Sequence, residues 1–241
     1  MQMKALYMDD NYLKEFEAVV ESIKDGKYVV LSQTAFYPSS GGQPNDAGAM
    51  VRESDKTEFK VVFVGKFDGA ISHEVQNPEG AELKKGDRVK CTIDWDRRYK
   101  FMRSHTACHV LSAIFHNESG ALITGNQIDL EKCRIDFSLE NFDREKISEY
   151  ISKANEALKR NLQIEISSMP REEALKIPSI VKLANALPPA VKELRIVKIG
   201  DIDMQADGGT HVRNTSEVGQ IELVSAENKG KNNRKVYFRL I

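Results

Sequence analysis

Two polar segments far apart in the chain place the strongest constraint on its fold. The first, Arg103 to His109, carries His105 and His109 four residues apart at the start of an apolar stretch. Residues i and i+4 of a helix share one face, so both imidazoles could converge on one ion. A zinc-type site needs one or two more ligands. The best candidates are Asp207 and His211, so the fold must bring the two segments together if they form one site.

The second segment has two readings. Asp207 and His211 are also four residues apart, but Gly208 and Gly209 between them disfavour a stable helix. A tight loop could still turn both side chains inward, whereas the alternative is an ordinary turn between two strands. A pair of histidines alone indicates a metal only weakly, because buried and surface histidines are common. Together, three histidines and one carboxylate form a set that suits Zn²⁺.

The composition limits the class of protein. With 241 residues, 41% hydrophobic and 29% charged, the chain can bury a full core and is long enough for one large domain or two small ones. Lys plus Arg (35) nearly balance Asp plus Glu (36). No global positive field therefore attracts nucleic acid, and any RNA contact must come from a local patch.

The cysteines and the apolar runs predict a cytoplasmic protein. Cys91, Cys108 and Cys133 are odd in number and form no CxxC pair, so a reducing cytosol is expected rather than a disulfide framework. No apolar run approaches the length of a membrane span, and the charged start leads into no signal-peptide core. We therefore expect no membrane partner.

Residues 1–94 predict a small antiparallel β-barrel. β-branched and aromatic runs predict strands at residues 27–31, 59–64 and 89–93. Turns are predicted at Asp25-Gly26, Asp68-Gly69 and Lys85-Gly86-Asp87. Strands at this spacing are typical of a barrel.

One segment of this region, residues 35–48, contains more chemistry than a simple connection needs. Its glycines, among them Gly41 and Gly42, permit a tight backbone path and a close approach to a ligand. Ser39, Ser40 and Gln43 supply hydrogen-bonding groups. On composition alone, the segment could equally be a long hairpin loop.

Residues 95–241 predict a second domain of two layers, helices on a sheet. Helices are predicted from about Arg103 to Asn117, with Ser104 as N-cap, from Asp143 to Leu162, and in a short stretch after Pro170. Alternating runs predict strands at residues 133–137, 194–199, 221–224 and 236–238. Without a βαβ rhythm or a glycine-rich nucleotide fingerprint, the predicted class is α+β.

Three motifs together resemble a known family. His105-Thr106-Ala107-Cys108-His109, Gly208-Gly209-Thr210-His211-Val212, and the following Asn214-Thr215 and Glu217-Val218-Gly219 look like the editing domain of alanyl-tRNA synthetase. They resemble still more closely the free-standing alanyl-tRNA editing proteins called AlaX. The glycine-rich segment from Phe36 to Gly48 is similar to one in the N-terminal barrel of the medium-length AlaX proteins. The resemblance runs over nearly the whole chain, which we therefore expect to be a free editing enzyme.

The chain departs from the family pattern at one position. The usual metal set is HxxxH plus CxxxH, and Asp207 stands where the cysteine is expected. Its carboxylate could ligate zinc, or could hold His211 or a water from outside the ligand shell. Cys108 points away around the helix and Cys133 lies in a predicted strand, so neither is the preferred substitute ligand.

The resemblance implies hydrolysis in trans of mischarged tRNA(Ala), chiefly the seryl ester, with glycyl-tRNA(Ala) as a second candidate, one zinc per chain and no need for ATP. Zinc would activate water or would hold the ester while another water attacks. Serine exceeds alanine by one hydroxyl, and a pocket that hydrogen-bonds this hydroxyl discriminates strongly. Candidates for that contact are Thr106, Thr124 and Gln43. The predicted substrate-binding residues also include Ser39, Ser40, Gly41, Gly42 and Thr210.

The basic residues Lys229, Lys231, Arg234 and Lys235 form the predicted tRNA-binding cluster. Phosphate contacts from this loop would make binding salt-dependent without reading sequence. The alternative is a charge-rich hairpin tip without a partner. Two other functions stay open: a zinc-dependent hydrolase of another ester or amide on the same scaffold, and a tRNA-binding module whose metal is structural.

Overall fold

The structure, a computed structural model of the chain, describes residues 3–177, 180, 192–230 and 233–241. The chain divides into two compact units, Met1–Lys100 and Phe101–Ile241. The boundary that the sequence predicts after Asp94 coincides with the start of a helix at Trp95, and as a domain boundary it stays a prediction. None of the helices in the described part is long and apolar enough to cross a membrane.

The first unit contains a closed antiparallel barrel. The strands of this unit are β1 (Lys4–Ala5), β2 (Glu15–Lys24), β3 (Tyr28–Leu31), β4 (Gln33–Thr34), β5 (Gly48–Arg52), β6 (Glu58–Phe67), β7 (Ala70–Gln76) and β8 (Arg88–Ile93). Six strands close the barrel in the order β2-β3-β7-β6-β5-β8, with every neighbouring pair antiparallel. Strand β8 alternates between exposed and buried residues, which turns Val89, Cys91 and Ile93 into the core. The predicted barrel is therefore confirmed.

Two of the predicted turns have the backbone that a tight hairpin requires. Asp25 and Gly26, between β2 and β3, have φ angles of 53° and 66°. Asp68 and Gly69, between β6 and β7, have φ angles of 48° and 83°. Positive φ at both central residues is the type I′ geometry, whose twist matches that of the flanking strands.

A buried ion pair holds the glycine-rich segment within the first unit. Arg98 and Asp46 are both fully buried, and Arg98 Nε donates to the Asp46 carboxylate at 2.9 and 3.0 Å. Arg98 Nη1 donates to the carbonyl of Asn11 at 2.9 Å, and Nη2 donates to that of Ala35 at 2.6 Å. Asp46 also accepts a hydrogen bond from the Tyr37 amide. One side chain thus ties the start of the long helix to both ends of this segment.

The remaining elements, from Trp95 onward, alternate helices with two antiparallel sheets. They are α1 (Trp95–Ser119), β9 (Ile123–Gln127), β10 (Cys133–Phe137), α2 (Arg144–Lys159), β11 (Ile164–Pro170), α3 (Arg171–Ala174), β12 (Glu193–Ile199), β13 (Asp203–Ala206), β14 (Ile221–Asn228) and β15 (Arg234–Leu240). One sheet has the order β14-β15-β10-β9 and the other β11-β12-β13.

Helices α1 and α2 pack on one face of the four-stranded sheet. Phe115 of α1 stacks on Phe137 of β10 with ring centroids 4.2 Å apart, and Tyr150 of α2 meets Phe115 edge-on at 5.0 Å. These aromatic contacts fix the two layers against each other. The second unit therefore confirms the predicted α+β class.

The predicted start of the long helix was wrong. Helix α1 begins at Trp95, where the Asp94 side chain accepts a hydrogen bond from the Arg97 amide, and Ser104 is buried inside the helix rather than capping it. The first turns contain charged residues, among them Arg98, whose partner Asp46 is distant in the sequence. Helical periodicity therefore does not indicate that these turns belong to the helix. Helix α2 is shorter than predicted and is capped by Asp143. The strand between residues 133 and 137 has its predicted bounds.

Candidate metal centre

Three histidines and one aspartate converge in the second unit. His105 and His109 extend from α1, and Asp207 and His211 from the loop after β13. One potential ligand atom from each lies within 4.8 Å of all the others. The ring centroids are 4.4 Å apart for His105 and His211, 4.7 Å for His109 and His211, and 5.1 Å for His105 and His109. The fold thus brings the two polar segments of the sequence together.

Two short distances link the aspartate to the histidines. Asp207 Oδ2 lies 3.0 Å from His211 Nε2, and Asp207 Oδ1 lies 3.7 Å from His105 Nε2. Bonds of about 2.0–2.1 Å in a tetrahedral site put neighbouring ligand atoms roughly 3.3 Å apart. The two distances, each to a different oxygen of Asp207, are of that order, and a donor set of three nitrogens and one oxygen is one that Zn²⁺ accepts.

The protonation states of the cluster also suit a cation. Burial lowers the pKa of His211 to about 4, although its hydrogen bond with Asp207 opposes the shift. Burial likewise holds the pKa of His105 well below its usual value. Burial alone would raise the pKa of Asp207, but His105 and His211 outweigh it and hold that pKa well below its usual range. Neutral imidazoles and an ionised carboxylate are the forms that bind a metal.

Two further side chains contact the histidines from behind. Asp203 Oδ2 lies 2.9 Å from His109 Nδ1 and accepts a hydrogen bond from Gln205 Nε2 at 2.8 Å. Thr106 Oγ1 lies 3.1 Å from His211 Nδ1. Because the Nδ1 atom of each ring is engaged, the Nε2 atoms of His109 and His211 are the ones that serve the cluster.

Sequence reasoning missed Asp203 and Gln205. Both are 4% exposed, and they occupy alternate positions of β13 on its buried face. Two polar residues spaced by two just before the candidate ligand Asp207 were the available signal, since buried polar groups need partners. The signal required knowing that the segment is a strand.

Gly209 allows the loop to reach the long helix. A Cβ atom at this position would lie only 2.1 Å from Cε1 of His105. The Gly209 amide also donates to Asp207 Oδ2 at 2.7 Å. At Gly208, by contrast, a Cβ atom would meet nothing within 4 Å. The close approach of backbone to a ring therefore requires glycine at position 209.

The segment after His211 anchors the loop to the end of α2. Thr215 Oγ1 donates to the carbonyl of Leu158 and accepts from the Leu162 amide, both at 2.9 Å. Asn214 and Glu217 form a capping box around the 3-10 turn Thr215–Val218. Arg195 Nη1 donates to the Asp207 carbonyl at 2.8 Å on the other side of the loop. These contacts give the family motif around Asn214-Thr215 a positioning role.

The other predicted substrate-binding residues occupy different settings. The Thr106 hydroxyl is buried against His211, and Thr210 is buried directly before it. Thr124 is an exposed residue of β9. In the first unit, Gln43 is buried, whereas the neighbouring Ser39, Ser40, Gly41 and Gly42 are exposed. The backbones of Ser40 and Gln43 hydrogen-bond to each other in both directions, which makes this stretch a tight turn.

The predicted basic cluster is partly engaged within the protein. Arg234 is 5% exposed and donates to the carbonyls of Gly230, Asn233 and Glu140, so its guanidinium closes the hairpin. Lys229 is exposed and lies 2.9 Å from Glu227. Lys235 is half-buried on β15, and Lys231 lies outside the described residues.

All three cysteines are buried free thiols. Burial raises the pKa of Cys108 and of Cys133, so both are protonated at neutral pH. Among the described residues, the group that could hold a metal contains no cysteine. The four residues of the group therefore include Asp207 where the resemblance expected a thiolate.

Comparison with known proteins agrees with this geometry. The profile of the family described as tRNA synthetases class II (A) matches residues 2–97. The profile described as threonyl and alanyl tRNA synthetase second additional domain matches residues 194–237. This second match contains β13 and both loop residues of the cluster, Asp207 and His211.

Two relatives match over almost their whole length, and a third matches over a quarter of its own. The alanyl-tRNA editing protein AlaX-M of Methanosarcina mazei is 51% identical over 99% of this chain and 96% of its own. AlaX-M of Saccharolobus solfataricus is 47% identical over 97% of both chains. The alanine–tRNA ligase of Pyrobaculum neutrophilum is 37% identical over 93% of this chain but only 25% of its own. The chain therefore belongs to the AlaX-M family of alanyl-tRNA editing proteins.

Proposed function

We propose that this protein is a trans-editing hydrolase that removes serine from mischarged tRNA(Ala), with one zinc ion held by His105, His109, His211 and Asp207. The observation that carries the proposal is the convergence of these donors within 4.8 Å of one another. The relatives named alanyl-tRNA editing proteins support the substrate class. Glycyl-tRNA(Ala) is the second proposed substrate.

The residues of the chain bind and orient rather than attack. When bound, zinc supplies Lewis-acid activation of an ester carbonyl or of a water molecule. Asp203 and Thr106 hold two of the imidazole rings, and Gly209 lets the loop close on His105. Burial keeps the Cys108 thiol protonated, which argues against a covalent acyl-enzyme route. Direct hydrolysis by water is the route that fits these side chains.

For the choice of serine over alanine, we propose Thr124. The hydroxyl of Thr106 is already in contact with His211, and Gln43 is buried in the first unit, whereas Thr124 is exposed. A hydroxyl that pairs with the serine side chain would be left without that partner when alanine enters, which disfavours alanine. Thr124→Val should reduce the preference for seryl over alanyl esters while zinc content stays unchanged.

For the tRNA, we propose phosphate contacts from Lys229, Lys231 and Lys235. Lys229, followed by Lys235 and Lys132, lowers the pKa of the Glu227 carboxyl, so three lysines of this region act on one carboxylate. Replacing Lys235 by Ala should weaken tRNA binding uniformly and reduce its salt dependence. Arg234→Ala should instead destabilise the hairpin, because its guanidinium bonds to three carbonyls.

Deacylation of purified seryl-tRNA(Ala) tests the proposal. The variants His105→Ala and His211→Ala should lose activity by at least about 1,000-fold and should lose the bound zinc. His116→Ala is the matched control, since His116 lies on the same helix but bonds to the Ala121 carbonyl outside the cluster. Wild-type protein that leaves seryl-tRNA(Ala) intact would contradict the proposal, as would a folded double variant that still hydrolyses it.

The same proteins discriminate the alternatives. A general ester hydrolase would cleave small seryl or aryl esters with a kcat/KM similar to that for the tRNA ester. A tRNA-binding module with a structural metal would unfold on chelation, visible by circular dichroism, and would show no deacylation. The editing enzyme should stay folded after chelation and should prefer the tRNA ester.

A further inference from the structure

A carboxylate and an amide lie behind the metal centre on strand β13. Asp203 and Gln205 are each 4% exposed and point to the same side of the strand. Gln205 Nε2 donates to Asp203 Oδ2 at 2.8 Å, and the same oxygen lies 2.9 Å from His109 Nδ1. A single oxygen thus receives two contacts in a place from which water is largely excluded.

This oxygen determines which nitrogen of His109 carries the hydrogen. Asp203 Oδ2 accepts from the Gln205 amide, and an aspartate in its ordinary ionised form only accepts, so His109 Nδ1 must donate to the same oxygen. The hydrogen of the neutral imidazole is then on Nδ1, and the lone pair is on Nε2. A metal binds the nitrogen that has the lone pair, which is then Nε2, since Nδ1 is engaged by Asp203.

We propose that Asp203 and Gln205 are positioning residues that fix the tautomer of His109, so that its Nε2 atom is always available as a metal ligand. The inference rests on the proposed zinc site and extends it beyond the four donor residues. A merely structural role would also bury the two side chains. It would not, however, make the tautomer of His109 depend on which of the two positions bears the negative charge.

The test exchanges the polarity of the pair. In Asp203→Asn, the amide oxygen can take the place of Oδ2 and still accept from both donors, but the lost charge makes the imidazole a weaker ligand. Adding Gln205→Glu moves the negative charge from position 203 to position 205 and keeps the net charge of the protein. The new carboxylate accepts only, so the amide NH₂ at position 203 turns toward it and toward His109 Nδ1. His109 must then carry its hydrogen on Nε2.

Two measurements on the purified full-length protein follow. Zinc affinity is measured by competition with a chromophoric chelator, and Asp203→Asn should weaken it about tenfold and the double variant about 100-fold or more. The tautomer of His109 is read in metal-free protein from ¹⁵N-histidine NMR spectra, assigned with His109→Gln. Wild type and Asp203→Asn should show the hydrogen on Nδ1, and the double variant should show it on Nε2.

The chain offers two controls. Asp201→Asn removes an exposed carboxylate just before β13, which pairs with Arg160, and zinc affinity should stay unchanged. His73 is an internal reference for the spectra, because its Nδ1 atom lies 2.9 Å from the Val29 carbonyl, which only accepts. It should carry its hydrogen on Nδ1 in every variant.

The outcomes separate this inference from the proposed function. A folded double variant with wild-type zinc affinity, or with the hydrogen of His109 still on Nδ1, overturns the positioning role. If that variant fails to fold, Asp203→Asn decides: tenfold weaker binding supports the inference, and unchanged affinity overturns it. If wild-type protein binds no zinc, the proposed metal site fails, while the tautomer measurement still supports or overturns the role of Asp203.

Discussion

Each of the two units buries a polar cluster, and the two clusters are built in opposite ways. In the barrel unit, Arg98 and Asp46 bear opposite charges and satisfy each other together with two backbone carbonyls. In the second unit, potential ligand atoms of three imidazoles and one carboxylate lie within 4.8 Å of one another. The first cluster is complete with protein atoms alone. We propose that a cation completes the second, so that burial of polar groups indicates a ligand site only when their chemistry is not complementary.

A comparison of single histidines teaches the same lesson. His73 in the barrel and His211 in the candidate metal centre are both buried, and burial lowers the pKa of each to about 4. His73, however, has Thr34 Oγ1 at one ring nitrogen and the Val29 carbonyl at the other, each at 2.9 Å. The low pKa is thus common to a core histidine and a candidate ligand. The atoms around the two ring nitrogens distinguish them.

Removing one partner of the barrel ion pair should give the largest change in stability. Arg98→Met leaves the Asp46 carboxylate buried without its cation, which should cost about 3–5 kcal/mol of unfolding free energy. Urea unfolding followed by circular dichroism measures this cost. The double variant Arg98→Met/Asp46→Leu should recover most of it. A loss below about 1 kcal/mol in the single variant would show that the barrel cluster is not a closed charge pair.

Substitution of the two glycines in the loop after β13 should show whether zinc binding needs the close approach of Gly209 to His105 or only a flexible loop. Gly209→Ala pushes a methyl group into the His105 ring and should weaken zinc binding by about 100-fold, or roughly 2.7 kcal/mol. Gly208→Ala is the matched control and should change zinc affinity less than about threefold, because its Cβ meets nothing. Equal effects of the two substitutions on zinc titrations would contradict the geometry of the loop.

The barrel histidine should contribute to the pH dependence of stability. With a folded pKa of about 4 against about 6.5 unfolded, His73 binds its proton more readily in the unfolded chain between these values. Stability should therefore fall as the pH drops from about 6.5 to about 4. Between pH 7 and pH 5, the unfolding free energy of His73→Gln should fall by about 2 kcal/mol less than that of wild type. Urea unfolding with chelator present measures this difference. Equal losses would mean that His73 does not keep a low pKa.

Two threonine–histidine contacts allow the smallest and most closely matched test. Thr34→Val and Thr106→Val each remove a hydroxyl at a buried imidazole with little change of shape, and each should cost about 1 kcal/mol of stability. Only Thr106→Val should also weaken zinc binding, by about tenfold, because its partner His211 is a proposed ligand. Weaker zinc binding in Thr34→Val would contradict the difference between the two clusters. Unchanged zinc affinity in Thr106→Val would contradict it as well.

Much of the site could be predicted because its chemistry is local. The spacing of His105 and His109 indicated one helix face, and the motif around His211 indicated the loop that meets it. The barrel followed from β-branched runs and from turns such as Asp25-Gly26, whose backbone the structure confirms. In each case, a short stretch of sequence contains the whole signal.

The remainder depends on pairs that are distant in the sequence. The early start of α1 follows from Arg98 pairing with Asp46, fifty-two positions away. The role of Asp203 depends on the position of β13, which places this residue beside His109, ninety-four positions away. Arg234 looked like a solvent-exposed cation, but it bonds to the Glu140 carbonyl. A single sequence does not show such pairs, because either partner alone has an ordinary explanation.

We propose that His105, His109, His211 and Asp207 hold a zinc ion on which removal of serine from tRNA(Ala) depends. The most direct test measures deacylation of seryl-tRNA(Ala) before chelation, after chelation and after zinc is added back, with circular dichroism on the same samples. We predict that activity is lost on chelation while the protein stays folded, and that it returns with about one equivalent of zinc per chain. Full activity in folded, metal-free protein would contradict the account.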